Sequence, residues 1–440
     1  MLLSPFGRYL PTTMLVFTKS APQQLLLAAL VAGLYGRSAC AQITSAGDTV
    51  LFRSDVAGTR VEPQYQATPL VIGPMLATIA LTARLATDSN IFRTSKNARH
   101  DAYLEAIPSV GIAARFGAHT ATLSARAATR RFARFSSENR NAVDVAYGGQ
   151  IDLGPPSTAS FRTTYGRESE QRGSAGLNLV AAGPAELQRI ESSASVSTEF
   201  RRLGVSASVG IARRSYDALR PANSPAISQA FRDIKALRVG SRVNFRAGPA
   251  ATIFASGSAN RTQSIERSQG QLRDATGYTL LAGLRSDTES LIVGEVGIGW
   301  RGQNYRNPAF RDFAGLTYDA TVDWYPTRLV SVRVQAGQEI VNSNFANVAG
   351  IVRRSVGATF FYDPLRKLRF VFALNRELDD YRELGLSTQT TSAGLTGTYQ
   401  IGRRVDVNAF GRIISKGSSN VRLVERYASF AFGIGLTGKL

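Results

Sequence analysis

From about residue 75 to the end of the chain, apolar and polar residues alternate with a period of two. In "LRVGSRVNFRAG", Leu237, Val239, Val243, Phe245 and Ala247 share one face, and Arg238, Gly240, Arg242, Asn244 and Arg246 share the other. Side chains of a strand point alternately to its two faces, so this segment reads as a strand with one apolar and one strongly polar side. "LVSVRVQAG" repeats the pattern, and "YASFAFGIGL" sets Phe430, Phe432, Ile434 and Leu436 against small residues. Eighteen such segments are predicted, at roughly 75–86, 102–116, 119–132, 142–153, 158–167, 188–200, 204–215, 235–247, 251–262, 275–286, 291–302, 315–325, 329–340, 351–362, 367–377, 390–401, 404–414 and 426–438. Sixteen is the alternative count.

The connections alternate in length. The short ones carry turn chemistry: Phe116-Gly117-Ala118, Gly154-Pro155-Pro156-Ser157, Tyr325-Pro326-Thr327 and Asp363-Pro364 are examples. The long ones, such as 168–186 and 217–232, are rich in Arg, Ser and Asn. Short turns at one end and long loops at the other mark a transmembrane antiparallel β-barrel of the outer-membrane type. A soluble sandwich or propeller would have to bury faces of Arg, Ser, Thr, Gly and Asn. A barrel leaves them in its interior, and its closure leaves no sheet edge in the bilayer.

Targeting fits this architecture. Lys19 precedes the apolar run "LLLAALVAGL", and Ala39-Cys40-Ala41 has the small-x-small form of a signal-peptidase site. Residues 1–41 therefore read as a signal peptide, with Met14 a second candidate start. Residues 42–74 read as a periplasmic N-terminal segment, or one tucked into the barrel mouth, and 75–440 as the barrel, placing the protein in the outer membrane of a Gram-negative cell. Cys40 is the sole cysteine, so no disulfide is expected after cleavage. No later apolar run approaches the ~18–20 residues of a membrane helix.

The formal net charge is +20, and only six of the 52 basic residues are Lys. The leader holds Arg8, Lys19 and Arg37 and no acid, so most of the excess stays with the exported chain. A basic charge of this size suggests nucleic acid, but an exported chain does not meet that partner.

The lead-in "TRVEPQYQATPLVIGPMLATIALTARLATDSNIFRT" resembles that of the second type of β-barrel porin family, common beside exopolysaccharide gene clusters of Gram-negative bacteria. The residues that carry the likeness are Pro63 and Tyr65, Gly73-Pro74, and Asp88-Ser89-Asn90-Ile91-Phe92, followed by Arg167-Glu168 with Arg172-Gly173-Ser174. The resemblance implies an outer-membrane barrel tied to polysaccharide secretion. Barrels of this kind usually end on an aromatic residue. This chain ends Gly438-Lys439-Leu440, although its alternation reaches Leu440.

Alternation assigns fourteen arginines to the interior: Arg84, Arg115, Arg126, Arg162, Arg214, Arg238, Arg242, Arg246, Arg285, Arg301, Arg333, Arg353, Arg369 and Arg412. Inward acids are fewer: Glu105, Asp144, Asp152, Glu191, Glu199, Glu295, Asp319, Asp323 and Asp406. An Arg on the lipid face would cost about 2–4 kcal/mol at mid-bilayer. A wet, positively charged interior favours anions. The first reading is thus a passive channel exporting an acidic exopolysaccharide, similar in outline to the Arg-lined alginate export channel. A general anion-selective porin for small solutes and a non-transport adhesin or scaffold barrel are the alternatives. In the bland version, Arg and acid ladders only stiffen the wall.

Expected partners are outer-membrane lipid and lipopolysaccharide, the barrel-assembly machinery during insertion, an acidic polysaccharide and a periplasmic export partner. No enzyme, cofactor or metal is expected. His100 and His119 fall at opposite ends of the barrel and cannot share a catalytic site with one serine. Asp379-Asp380 after Glu377 is expected in an exterior loop, as a solvated charge run more than a Ca²⁺ site.

Overall fold

The computed structural model describes residues 56–60, 62–170, 172–173, 186–219, 225–266, 272–286 and 290–440. Residues 1–41, read above as a signal peptide, lie outside the described residues. Nineteen strands follow in chain order: β1 (Leu70–Ile72), β2 (Met75–Asp88), β3 (Asp101–Phe116), β4 (His119–Phe132), β5 (Arg140–Asp152), β6 (Ser157–Ser169), β7 (Glu186–Phe200), β8 (Leu203–Tyr216), β9 (Ile234–Arg246), β10 (Thr252–Ser264), β11 (Ala275–Ser286), β12 (Ile292–Tyr305), β13 (Phe313–Thr327), β14 (Val330–Asn342), β15 (Gly350–Leu365), β16 (Leu368–Tyr381), β17 (Leu386–Gln400), β18 (Val405–Ser418) and β19 (Tyr427–Lys439).

From β2 onward each strand pairs antiparallel with the next. The ring closes where β19 meets β2, from Ala431↔Asp88 to Lys439↔Ala80. The barrel therefore has eighteen strands, so the alternative of sixteen is excluded.

Closure follows from the two-faced strands. Leu81, Leu85, Leu104, Val239, Leu280, Ile298, Phe372 and Ile434 all stand exposed on the outside. Cross-strand registers join them into one apolar belt, as in Ile434↔Leu85 and Leu85↔Leu104. In water such a surface would be untenable, whereas in lipid it is the solvated face. Near the short turns the outer face carries Phe116, Phe200, Phe245, Trp324, Phe360 and Tyr362, all exposed. This is the interfacial aromatic girdle of a membrane barrel.

Three local features differ from the sequence reading. Residues 42–74 lack barrel alternation, yet β1 lies within them and pairs with β2 through Leu70↔Ala77 and Ile72↔Met75. Leu440 exchanges backbone hydrogen bonds with Ile79, and β1 takes over the edge of β2 below that point. Gly73 turns this hairpin at φ +57, a conformation that glycine adopts without strain. Pro326 and Pro364 are not turn residues: they sit in the last stretch of β13 and β15, at register shifts after Trp324 and Tyr362. Proline has no N–H for the ladder, so a bulge absorbs it. Finally, Asp379 and Asp380 lie within β16 and not in an exterior loop.

Candidate functional site

The registers place the fourteen arginines on the strand face turned away from the lipid belt, for example Arg84↔Glu105, Arg126↔Asp144 and Arg333↔Asp323. Alternation also puts Arg130, Arg140 and Arg189 there, which the reading of the sequence passed over although their parity is the same.

At least seven of the fourteen have a carboxylate oxygen within 4.0 Å: Arg84, Arg214, Arg242, Arg246, Arg333, Arg353 and Arg369. Arg333 holds Asp323 through two bonds of 2.7 and 3.0 Å. Arg353 holds the buried Asp379 at 2.7 and 2.9 Å, which accounts for the carboxylate once read as loop charge. Bidentate guanidinium–carboxylate pairs fix orientation as well as charge. Arg242 shows how the wall builds such a pair. Phe254 on β10 lies over Gly283 and Gly297, where any side chain would collide with its ring. The Arg242 guanidinium stacks 4.0 Å above Phe254 and donates to both oxygens of Glu295 at 2.7 Å.

The remaining arginines are held differently. Arg301 donates to Thr279 Oγ1 (3.2 Å) and to the backbone oxygen of Gln338 (2.6 Å), just beyond Asp319↔Gly337, where β13–β14 pairing ends. Among the described residues Arg115, Arg162, Arg238 and Arg412 have no carboxylate within 4.0 Å. Arg115 and Arg162 are exposed to the interior space.

Loops narrow the long-loop mouth. Asp88 accepts from Asn90 N at 2.9 Å, from Ser429 Oγ at 2.7 Å and twice from Arg93 at 2.8 and 3.0 Å. Asn90 Nδ2 donates to the oxygens of Thr94 and Ala428. The polar groups of "DSNIFR" thus lock the first long loop onto β19. Across the mouth, Arg172 grips the fully buried Glu138 at 2.5 and 2.8 Å and lies 5.3 Å from the Phe92 ring. Gly173, at φ +78, rests against Tyr427, and its oxygen accepts from Lys416 Nζ at 2.5 Å. The loop after β6 therefore reaches β18, six strands away around the ring. The two short motifs behind the family likeness meet here. Glu138 had no signal in the sequence. Beside Tyr427 opens a cavity of about 1080 Å³, lined by Thr94, Thr388, Lys416 and Arg426 among others.

A second loop core lies over β14–β19, where Val341, Val348, Ile351, Tyr381, Leu386 and Val424 bury one another. Arg273 ties the loop before β11 to it by donating to the backbone oxygens of Ser343 and Phe345 at 2.5 and 2.6 Å. Burial pushes this loop guanidinium down to about 10.

At the short-turn mouth, residues 56–60 lie against inward side chains. Val56 packs with Val293 and Tyr325. Ser331 Oγ donates to Ala57 O at 2.7 Å, and Arg369 donates to Arg60 O at 3.1 Å while also holding Asp363. Gly58, at φ +86, lies on the Phe361 ring so closely that a Cβ would sit 2.7 Å from it. His119 accepts the Asp152 N–H on Nδ1 at 3.1 Å, and His100 is exposed at the other end of the barrel.

A closed eighteen-strand antiparallel barrel with an apolar outer belt, a polar interior and loop-narrowed mouths is an outer-membrane barrel of the porin kind. The chain belongs to the family described as "Putative beta-barrel porin 2", which matches residues 62–438. No curated protein matches it. Among solved structures it is similar to the ferric enterobactin receptor PfeA of Pseudomonas aeruginosa (TM-score 0.45, 9% identity, 82% of this chain and 80% of that one). It is also similar to the outer membrane protein OpdK of the same organism (0.43, 12%, 83% and 99%) and to the siderophore receptor PiuA of Acinetobacter baumannii (0.36, 10%, 82% and 82%).

Proposed function

We propose that this barrel is a passive, non-enzymatic channel through which an acidic exopolysaccharide leaves the cell. The observation that carries the reading is the surplus of arginine on the inner face beyond what its carboxylates neutralise, with Arg115, Arg162, Arg238 and Arg412 unpaired among the described residues. In a water-filled passage walled by low dielectric, fixed guanidinium groups raise the local concentration of anions and repel cations. Arginine suits this task because it stays charged at any physiological pH and meets carboxylates through a planar fork. Pairs such as Arg242–Glu295 then act as rigid wall, and the unpaired cations act as contacts for the passing polymer.

A second reading, an anion-selective porin for small solutes, is favoured by the mouths: Arg172-Gly173 and residues 56–60 both turn inward. Two measurements separate the readings. In a planar bilayer under a KCl gradient, either reading gives an anion-selective reversal potential. An acidic polymer added to one side blocks the current, at concentrations where a neutral polymer does not, if the polymer is the cargo. Deletion of the gene then abolishes polymer outside the cell, and undiminished polymer would reject the export reading. The absence of any conductance would leave the barrel an adhesin or scaffold.

A further inference from the structure

The outer face of the barrel is not symmetric from end to end. At the short-turn end no outward strand position carries Lys or Arg. At the long-loop end several do, each one outward position beyond the apolar belt. Arg213 follows the exposed Ile211, and Lys235 precedes the exposed Leu237. Arg261 pairs with Leu237 on the next strand. All three cations are exposed. They lie on the adjacent strands β8, β9 and β10.

Arg213 stands directly opposite Lys235 in the ladder, and Arg261 is diagonal to Lys235. Like charges directly opposite each other destabilise a strand pair. Among the described residues none of the three has a carboxylate within 4.0 Å. The row therefore has no direct ion pair among these residues; the Asp233 carboxylate reaches Arg213 only through space and leaves Lys235 facing both arginines. A shorter version recurs on β15–β16, where the exposed Arg354 and Arg376 are diagonal neighbours.

We infer that Arg213, Lys235 and Arg261 form a docking surface for the phosphate groups of lipopolysaccharide. Three features of the surface select this occupant. The row lies on the lipid-facing side, so its ligand must have acyl chains that run down the adjoining belt of Ile211, Leu237 and Val239. It lies at the long-loop end, the side of the outer leaflet. It presents several cations about one strand spacing apart, and phosphate oxygens that bridge Arg213 and Lys235 would turn a repulsive pair into charge-assisted hydrogen bonds. A soluble anionic polymer would satisfy the charge but not the apolar approach.

The test uses the full-length barrel purified in detergent, titrated with bis-phosphorylated lipid A and with the same lipid after enzymatic dephosphorylation, and read by native mass spectrometry. The wild type is expected to prefer the phosphorylated lipid by roughly tenfold or more, the scale of one hydrogen bond to a charged group. The triple variant Arg213→Gln/Lys235→Gln/Arg261→Gln is expected to lose that preference. Lys96→Gln/Arg99→Gln/Arg422→Gln, which removes the same charge from exposed loops, keeps it. Heat-modifiable gel mobility reports that each variant is folded. The proposal is overturned if the wild type binds both lipids equally, if both triple variants lose the preference alike, or if a soluble polyuronate displaces lipid A from the wild type. The wild-type comparison decides the matter even where a variant fails to fold.

Discussion

Single residues on the inner wall do two jobs, and register tells them apart. Arg353 and Asp379 are both buried and meet through two bonds, so removing Asp379 leaves the guanidinium with the longer contact to Glu377 at 3.9 Å. Asp379→Asn is expected to lower barrel stability by about 3–5 kcal/mol, measured by reversible urea unfolding in lipid vesicles. Arg115, Arg162, Arg238 and Arg412 hold no carboxylate among the described residues, and replacing all four with Gln should hardly change stability. It should instead lower the anion-to-cation permeability ratio by about twofold or more, read from the reversal potential. Glu295→Gln removes a negative charge from the inner wall and should shift the same potential the opposite way. An unchanged potential in both variants would show that these groups do not set selectivity.

At the scale of elements, strands were legible and loops were not. Alternation located every barrel strand to within a few residues, because lipid on one side and water on the other impose the period directly. Loop structure depends on long-range partners that leave no period. Arg172-Gly173 is a short motif in the chain, but its meaning comes from Glu138, Phe92, Tyr427 and Lys416. At φ +78 and against the Tyr427 ring, Gly173 has no room for a side chain. Gly173→Val is expected to release Arg172-Gly173 from Tyr427 and Lys416 and raise single-channel conductance, with the barrel itself intact. Gly58→Leu should dislodge residues 56–60 from Phe361 at the other mouth and also raise conductance. Conductance equal to wild type in both would mean that neither segment narrows the passage.

For the whole molecule, the assignment of faces is the claim from which the others follow. Val334 faces outward and is exposed, whereas its neighbour Gln335 faces inward. Val334→Arg should cost about 2–4 kcal/mol in vesicle-based unfolding, and Gln335→Arg should cost far less. Equal costs would refute the orientation of the wall.

The sequence by itself determined that the chain is an antiparallel membrane barrel of eighteen or sixteen strands and which face of each strand meets lipid. Those properties are local: they depend on the parity of each residue and on the solvent that each face must satisfy. Only the tertiary structure decided which arginines are neutralised, since Arg242 finds Glu295 three strands away across Phe254. It alone brought Arg172 to Glu138, chose the partners of residues 56–60 on the wall, and moved Asp379 from a supposed loop into an ion pair. It also set Arg213 opposite Lys235 on the outer face. Each of these depends on register and on chain segments far apart in sequence, and an alternating pattern carries no record of which neighbour a side chain will face.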